Sequence, residues 1–202
     1  CEVPIEGSFN ALNCVSEAEN QGAEVLLLAP GTKDTLDKTL PVVNSNNRKL
    51  RLLGGDAMYN PRTLQGFGRE AAEEKMVIAV PWHVKINQNS DFVQGAEELW
   101  KLKDVTWRTA MAYDATQAFI EGLRSLGGNP SRDRLRQELS RKNFSAKGAA
   151  GKVEFEPSGD RKLFTGIGVL VQVQRDPDPE SETGYKYELL QQPNRDSTIN
   201  ND

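Results

Sequence analysis

The sequence holds a single histidine, His83, and only two cysteines, Cys1 and Cys14, in 202 residues. One His with two distant Cys cannot complete a closed metal site. No base stands near either thiol, and there is no Gly-x-Ser-x-Gly elbow to present a nucleophilic serine. Gly66-Phe-Gly-Arg-Glu lacks the Lys-Ser/Thr of a phosphate-binding loop. We therefore expect no catalytic residues, no metal and no cofactor, with an enzyme only a remote alternative. Apolar runs are short. The longest, Val25 to Pro30, is strand-sized against the roughly 20 residues that cross a bilayer. Basic charge is not in excess either: 25 Lys and Arg face 29 Asp and Glu, a net charge of −4. Such a balance offers no field for nucleic acid or anionic lipid.

What is there reads as an α/β chain. It opens at Cys1 with neither Met nor a signal-like stretch, as after removal of an upstream segment or as a piece of a longer polypeptide. Ser8, then Phe9, Ala11, Leu12, Val15 and Ala18, predict a capped amphipathic helix ending near Gly22. Cys14 lies on it beside Ala11 and Ala18 and reads as a buried free thiol; a Cys1–Cys14 bridge and a lipid-anchored Cys1 are the alternatives. Residues 24–29 are a continuous apolar run stopped by Pro30-Gly31, as in a buried parallel strand. A helix over 32–46 follows, which Pro41 should kink or shorten. Residues 49–54 form the next strand, Asn60-Pro61 opens a short helix, and 76–81 form a third strand. Helix and strand alternating at this spacing predict right-handed βαβ units and a mostly parallel sheet.

After Pro81 the rhythm changes to three consecutive helices, over 91–103, 107–126 and 131–142. Strands return at 151–155, 167–174 and 185–190, with an acidic loop over 176–184 and a polar, disordered tail from Gln191. On the helix from Trp107, Asp114 interrupts an apolar stripe of Trp107, Ala110, Met111, Ala115, Ala118, Phe119, Leu123 and Leu126. A carboxylate there must find donors or cost several kcal/mol. An acid held by backbone or hydroxyl donors is the favoured reading, ahead of a catalytic one.

Three stretches carry a family resemblance. They are Gly22-Ala-Glu-Val-Leu-Leu-Leu-Ala-Pro30; Leu52-Leu-Gly-Gly-Asp-Ala57 with Gly68 to Glu74 and Met76-Val-Ile-Ala-Val-Pro81; and Ala112-Tyr-Asp-Ala115 followed by Phe144, Gly151-Lys-Val-Glu-Phe155 and Gly159-Asp160. In this order the chain resembles the C-terminal half of the type I periplasmic binding proteins, in the branch that binds leucine, isoleucine and valine. The resemblance implies a three-layer α/β/α second lobe with a mostly parallel sheet, plus helices belonging to an incomplete first lobe. Residues 7–82 would be the second-lobe α/β portion, 83–150 the helical segment of the first lobe, and 151–190 strands returning to the second, followed by the tail at 191–202.

It also implies extracytoplasmic, periplasmic solute binding, with an amino acid or similar small polar ligand clamped between lobes and an ABC transporter permease as partner. The alternative is a sensor domain whose partner is the output domain of a receptor or kinase. The position matching the family's acid for the ligand ammonium is Asp56, which follows two glycines. Pro30, Gly31 and Thr32, after the preceding strand, would line the cleft, in agreement with ligand binding at the carboxyl ends of strands in open α/β sheets. Pro30 and Gly31 stand where some members carry tyrosines, which puts the branched-chain preference in doubt. Tyr59 could contact ligand or pack on the neighbouring helix. Trp82 and His83 follow the third strand, where the resemblance puts a hinge; 81–86 and 144–155 are the expected crossings. A helix stripe deprived of the first lobe's sheet would leave apolar surface that a missing N-terminal half or a dimer mate would cover.

Overall fold

The computed structural model describes residues 1–4, 6–86, 90–101, 105–163 and 168–190. The expected helix end at Lys103, the strand start at Ile167 and the tail from Gln191 lie outside them. In chain order the elements are α1 (Ala11–Asn20), β1 (Val25–Leu28), α2 (Lys33–Asn46), β2 (Arg51–Gly54), a 3-10 turn (Asp56–Met58), α3 (Pro61–Glu73), β3 (Val77–Val80), a second 3-10 turn (Val84–Ile86), α4 (Asp91–Trp100), α5 (Trp107–Leu126), α6 (Arg132–Leu139), β4 (Ala146–Gly148), β5 (Gly151–Val153), β6 (Val169–Arg175) and β7 (Tyr185–Leu189). They form two compact units, one of Cys1–Val80 with the segment from Leu170 onward, the other of Pro81–Val169. Among the described residues no helix is long and apolar enough to cross a membrane.

The first unit is built on a five-stranded sheet in the order β1-β2-β3-β6-β7. β1, β2 and β3 are parallel, with Leu28 opposite Gly54 and Gly54 opposite Ile78, while β6 and β7 are antiparallel. Local chemistry sets the helix ends. α1 starts at Ala11 because Asn10, rather than the expected Ser8, accepts from the Asn13 N–H at 3.0 Å. Thr32 and Thr35 cap α2 reciprocally, and α2 runs through Pro41 to Asn46. Pro41 sits on the exposed side, where water can serve the carbonyl its ring leaves without a donor. Asn60 accepts from Arg62 N–H at the head of α3, with Pro61 as its first residue.

In β1, β2, β3 and β6 burial alternates. Leu28, Leu52, Ile78, Val80, Val171 and Val173 are buried, whereas Val25, Leu27, Leu53 and Leu170 are exposed, Leu27 by 63%. The apolar run 24–29 suggests a strand covered on both faces; the described residues leave one face of it open. The buried face owes its closeness to Gly54, since a Cβ there would come within 3.0 Å of Met58, Ile78 and Met76. Gly68 serves similarly on α3, where a Cβ would run into the Tyr185 ring.

Asn46 closes the turn from α2 to β2. It is fully buried; its amide donates to Leu50 O and to Glu74 Oε2, both at 2.8 Å, and its carbonyl accepts from Leu50 N at 3.1 Å. The chain can then reverse through Asn47 and Arg48, both at positive φ. At the other end of the unit Cys1 and Cys14 are joined in a disulfide, so the free-thiol reading is corrected. Helical packing beside two alanines makes Cys14 buried, as expected, but the N-terminal segment returns to it.

The second unit has two apolar clusters. One gathers Trp82, Val93, Ala96, Val105 and Ala110; the other gathers Ala118, Phe144, Ala146 and Val153. β5 does not join the five-stranded sheet, contrary to the expectation that the strands of 151–190 return to it; only β6 and β7 do. β5 pairs antiparallel with β4, a strand that the sequence pattern leaves unmarked, and the hairpin packs on α5. For the same reason the chain leaves this unit at Val169–Leu170, not within 144–155.

Two measurements check these contacts. Replacing Asn46 by Ala removes three hydrogen bonds and should cost about 2–3 kcal/mol in urea unfolding, with the m-value unchanged. Reducing the Cys1–Cys14 bridge, which spans 13 residues, should lower stability by about 3 kcal/mol and shift the melting temperature accordingly. An unchanged melt in reductant would show that the bridge constrains nothing.

Candidate functional site

Parallel pairing in register sets the ends of β1 and β2 side by side, with Gly55 N–H donating to Leu28 O at 2.9 Å. The segments that leave these strands are Ala29 to Thr32, which carries Pro30, Gly31 and Thr32, and Gly55 to Asn60, which carries Asp56 and Tyr59. Pro30 is buried and Gly31 exposed. Both line a pocket of about 310 Å³ walled by the Cys1–Cys14 bridge, Leu26 to Ala29, Thr35 and Thr39. A Cβ at Gly31 would meet nothing within 4 Å, so this glycine is not required by packing. Thr32, Asp56 and Tyr59 do not line the pocket.

Asp56 opens the 3-10 turn with an exposed carboxylate, and its side chain bonds to no described residue. It does not cap α3; Asn60 does that alone. The two preceding glycines have different reasons. Gly54 makes room for core side chains, while Gly55 sits against the β1 end, where a Cβ would lie 3.8 Å from Leu28 O. Thr32 Oγ1 accepts from Thr35 N at 3.2 Å, so this hydroxyl is part of a helix cap. Tyr59 stacks on Tyr187 of β7, with ring centroids 4.1 Å apart.

Tyr187 is the residue that sequence reasoning misses. Its hydroxyl accepts from Asn60 N at 3.0 Å and lies 2.9 Å from both Met58 O and Asn60 O, to either of which it can donate. It thereby fixes the turn that carries Asp56. A contact across 127 residues leaves no local signature, and nothing in the pattern around Tyr187 marks it out.

Trp82 and His83 lie at the start of the second unit, just past its junction with the first at Val80–Pro81. Both are buried. Trp82 meets Phe92 edge to face at 5.8 Å, and His83 Nδ1 accepts from Lys85 N at 3.3 Å. Among the described residues no three His, Cys, Asp or Glu side chains cluster as metal ligands would.

Asp114, also in the second unit, is held as the favoured reading requires, with one partner that reading does not name. Asp114 is 2% exposed. Its carboxylate accepts from Ala149 N at 2.5 Å and from Arg161 Nη1 at 2.8 Å, and Gly148 leaves the space it occupies. It ties the β4–β5 hairpin and the Arg161 segment to α5.

Among solved structures, several substrate-binding proteins of ABC transporters match. A leucine binding protein from Thermotoga maritima is 17% identical with a TM-score of 0.63, covering 90% of this chain and 48% of its own. An ABC transporter substrate-binding protein from Desulfitobacterium hafniense, solved in complex with Leu, is 15% identical with a TM-score of 0.56, covering 90% and 49%. A solute binding protein of an ABC transporter from Rhodopseudomonas palustris, solved with 3,4-dihydroxybenzoic acid, is 12% identical with a TM-score of 0.58, covering 93% and 49%. No family model and no curated protein sequence matches the chain. The fold is that of a type I periplasmic binding protein. More narrowly, the chain spans about half the length of the solved proteins it matches.

Removing Asp114 tests its structural role. Asp114→Ala should destabilise the protein by about 3–5 kcal/mol, because it strands a partly buried guanidinium. Arg161→Ala should cost a comparable amount, and the double variant less than the sum, in a denaturation cycle.

Proposed function

We propose that the chain serves extracytoplasmic solute binding, as part of the substrate-binding component of an ABC transporter, with an amino acid or similar small polar molecule as ligand. The observation that carries this is Asp56. An exposed carboxylate without a protein partner among the described residues sits at the carboxyl end of a parallel strand, beside the mouth of the neighbouring strand. A ligand ammonium needs such a group. Pro30 and Gly31 would receive the ligand's body, Thr32 and Tyr59 its flank, and Trp82 and His83 would lie at the hinge about which the lobes close on it. Donors for the ligand carboxylate would come from the other lobe, so this chain alone would bind weakly. A pocket of about 310 Å³ is at the small end of ligand sites, in keeping with a single amino acid. The Leu complex of the Desulfitobacterium protein supports that ligand class, and the dihydroxybenzoate complex from Rhodopseudomonas offers the contrast.

The open face at Val25, Leu27 and Leu53 is a surface that an N-terminal half or a dimer mate would cover.

A thermal-shift screen of the twenty amino acids on the native protein tests the reading. One chemical class should raise the melting temperature, and Asp56→Ala should abolish the rise while leaving the unliganded melt within about 0.5 kcal/mol of wild type. A response to aromatic acids alone would replace the amino-acid assignment. Silence toward both would remove solute binding.

A further inference from the structure

We propose that the groove between α5 and α6 is a second binding site, for monocarboxylates with an apolar body such as a medium-chain fatty acid. It lies wholly in the second unit and does not depend on the reading of Asp56. The cavity measures about 370 Å³; Phe119, Leu135, Leu139 and Phe155 form its apolar part, with Arg132 and Arg136 among its lining residues. Gly122 lets the helices approach, since a Cβ there would strike Leu135 and Leu139. Phe119 is 52% exposed, so the apolar part is open to solvent rather than sealed into the core.

The arginines decide the ligand's chemistry. Nearby guanidinium groups are engaged: Arg134 donates to the carbonyls of Gly128 and Asn129, Arg141 pairs with Glu138, and Arg161 with Asp114. Arg132 and Arg136 bond to no described residue through their side chains. They stand one turn apart on one helix face, where like charges repel and an anion placed between them relieves the repulsion. The acids adjoining the groove do not quench them. Asp160 takes a hydrogen bond from Ser158 Oγ at 2.9 Å, Glu138 is turned to Arg141 and Ser125, and Asp133 and Glu156 are not among the lining residues. A carboxylate therefore meets two unpaired forks, each able to grip it with parallel N–H donors. The rest of the molecule covers the phenyl and leucine surface.

The test is carbon-resolved NMR titration of the whole chain, with octanoate as probe and 1-octanol and acetate as controls. Octanoate should shift the Leu135 and Leu139 methyls and the Phe119 and Phe155 rings saturably, with a Kd on the order of 1 mM for so small a ligand. Arg132→Ala with Arg136→Ala should weaken it at least about tenfold, and octanol and acetate should each bind at least about tenfold more weakly than octanoate. Both arginines are exposed, so the double variant should melt as wild type does. Asp56→Ala should bind octanoate unchanged. Octanoate shifts that survive the double variant, map to other residues, vanish with Asp56→Ala or are matched by octanol would each overturn the proposal.

Discussion

In the first unit, the level ending of β1 and β2 governs what the rest can do. Parallel pairing in register puts Leu28, Gly54 and Ile78 on one line across the sheet. That line leaves no room for a side chain at position 54, where Met58, Met76 and Ile78 converge. Because β1 and β2 end together, the segments after them, Ala29 to Thr32 and Gly55 to Asn60, emerge at one edge of the sheet. The geometry that makes the interior close-packed is the same geometry that makes the rim polar and open.

Much of this is legible in the sequence because it is local. Thr32, Asn60 and Pro61 are cap chemistry that the residues spell out, and α5 begins and ends where its periodicity does. Asp114 is recognisable as a problem, an acid inside an apolar stripe, but its solution is not, because Arg161 arrives from 47 residues away. Tyr187 is invisible for the same reason. The β4–β5 hairpin escapes because Ala146–Gly148 carries too little apolar pattern to read as a strand. Gly54 is room for Met58, Met76 and Ile78, which only packing reveals.

The two units use polar groups differently. In the first, buried polarity is small and neutral: Asn46, Thr35 and Thr63 each satisfy backbone groups within reach, and Thr63 Oγ1 donates to Met58 O at 2.8 Å. In the second it is ionic, with Asp114 against Arg161 and Glu138 against Arg141 and Ser125. Short strands supply few ladder bonds, so side chains fasten the hairpin to its helix. In each pair the carboxylate is buried while its guanidinium keeps some exposure, more for Arg141 than for Arg161.

The Cys1–Cys14 bridge is also part of the pocket wall, together with Glu2, Val3 and Phe9. That wall is held in place by a covalent bond whose formation requires an oxidant. Chain synthesised where thiols stay reduced would carry the same sheet and the same Asp56, but its pocket would lack a fixed side. The shape of the pocket therefore depends on the redox state of the surroundings as well as on the sequence.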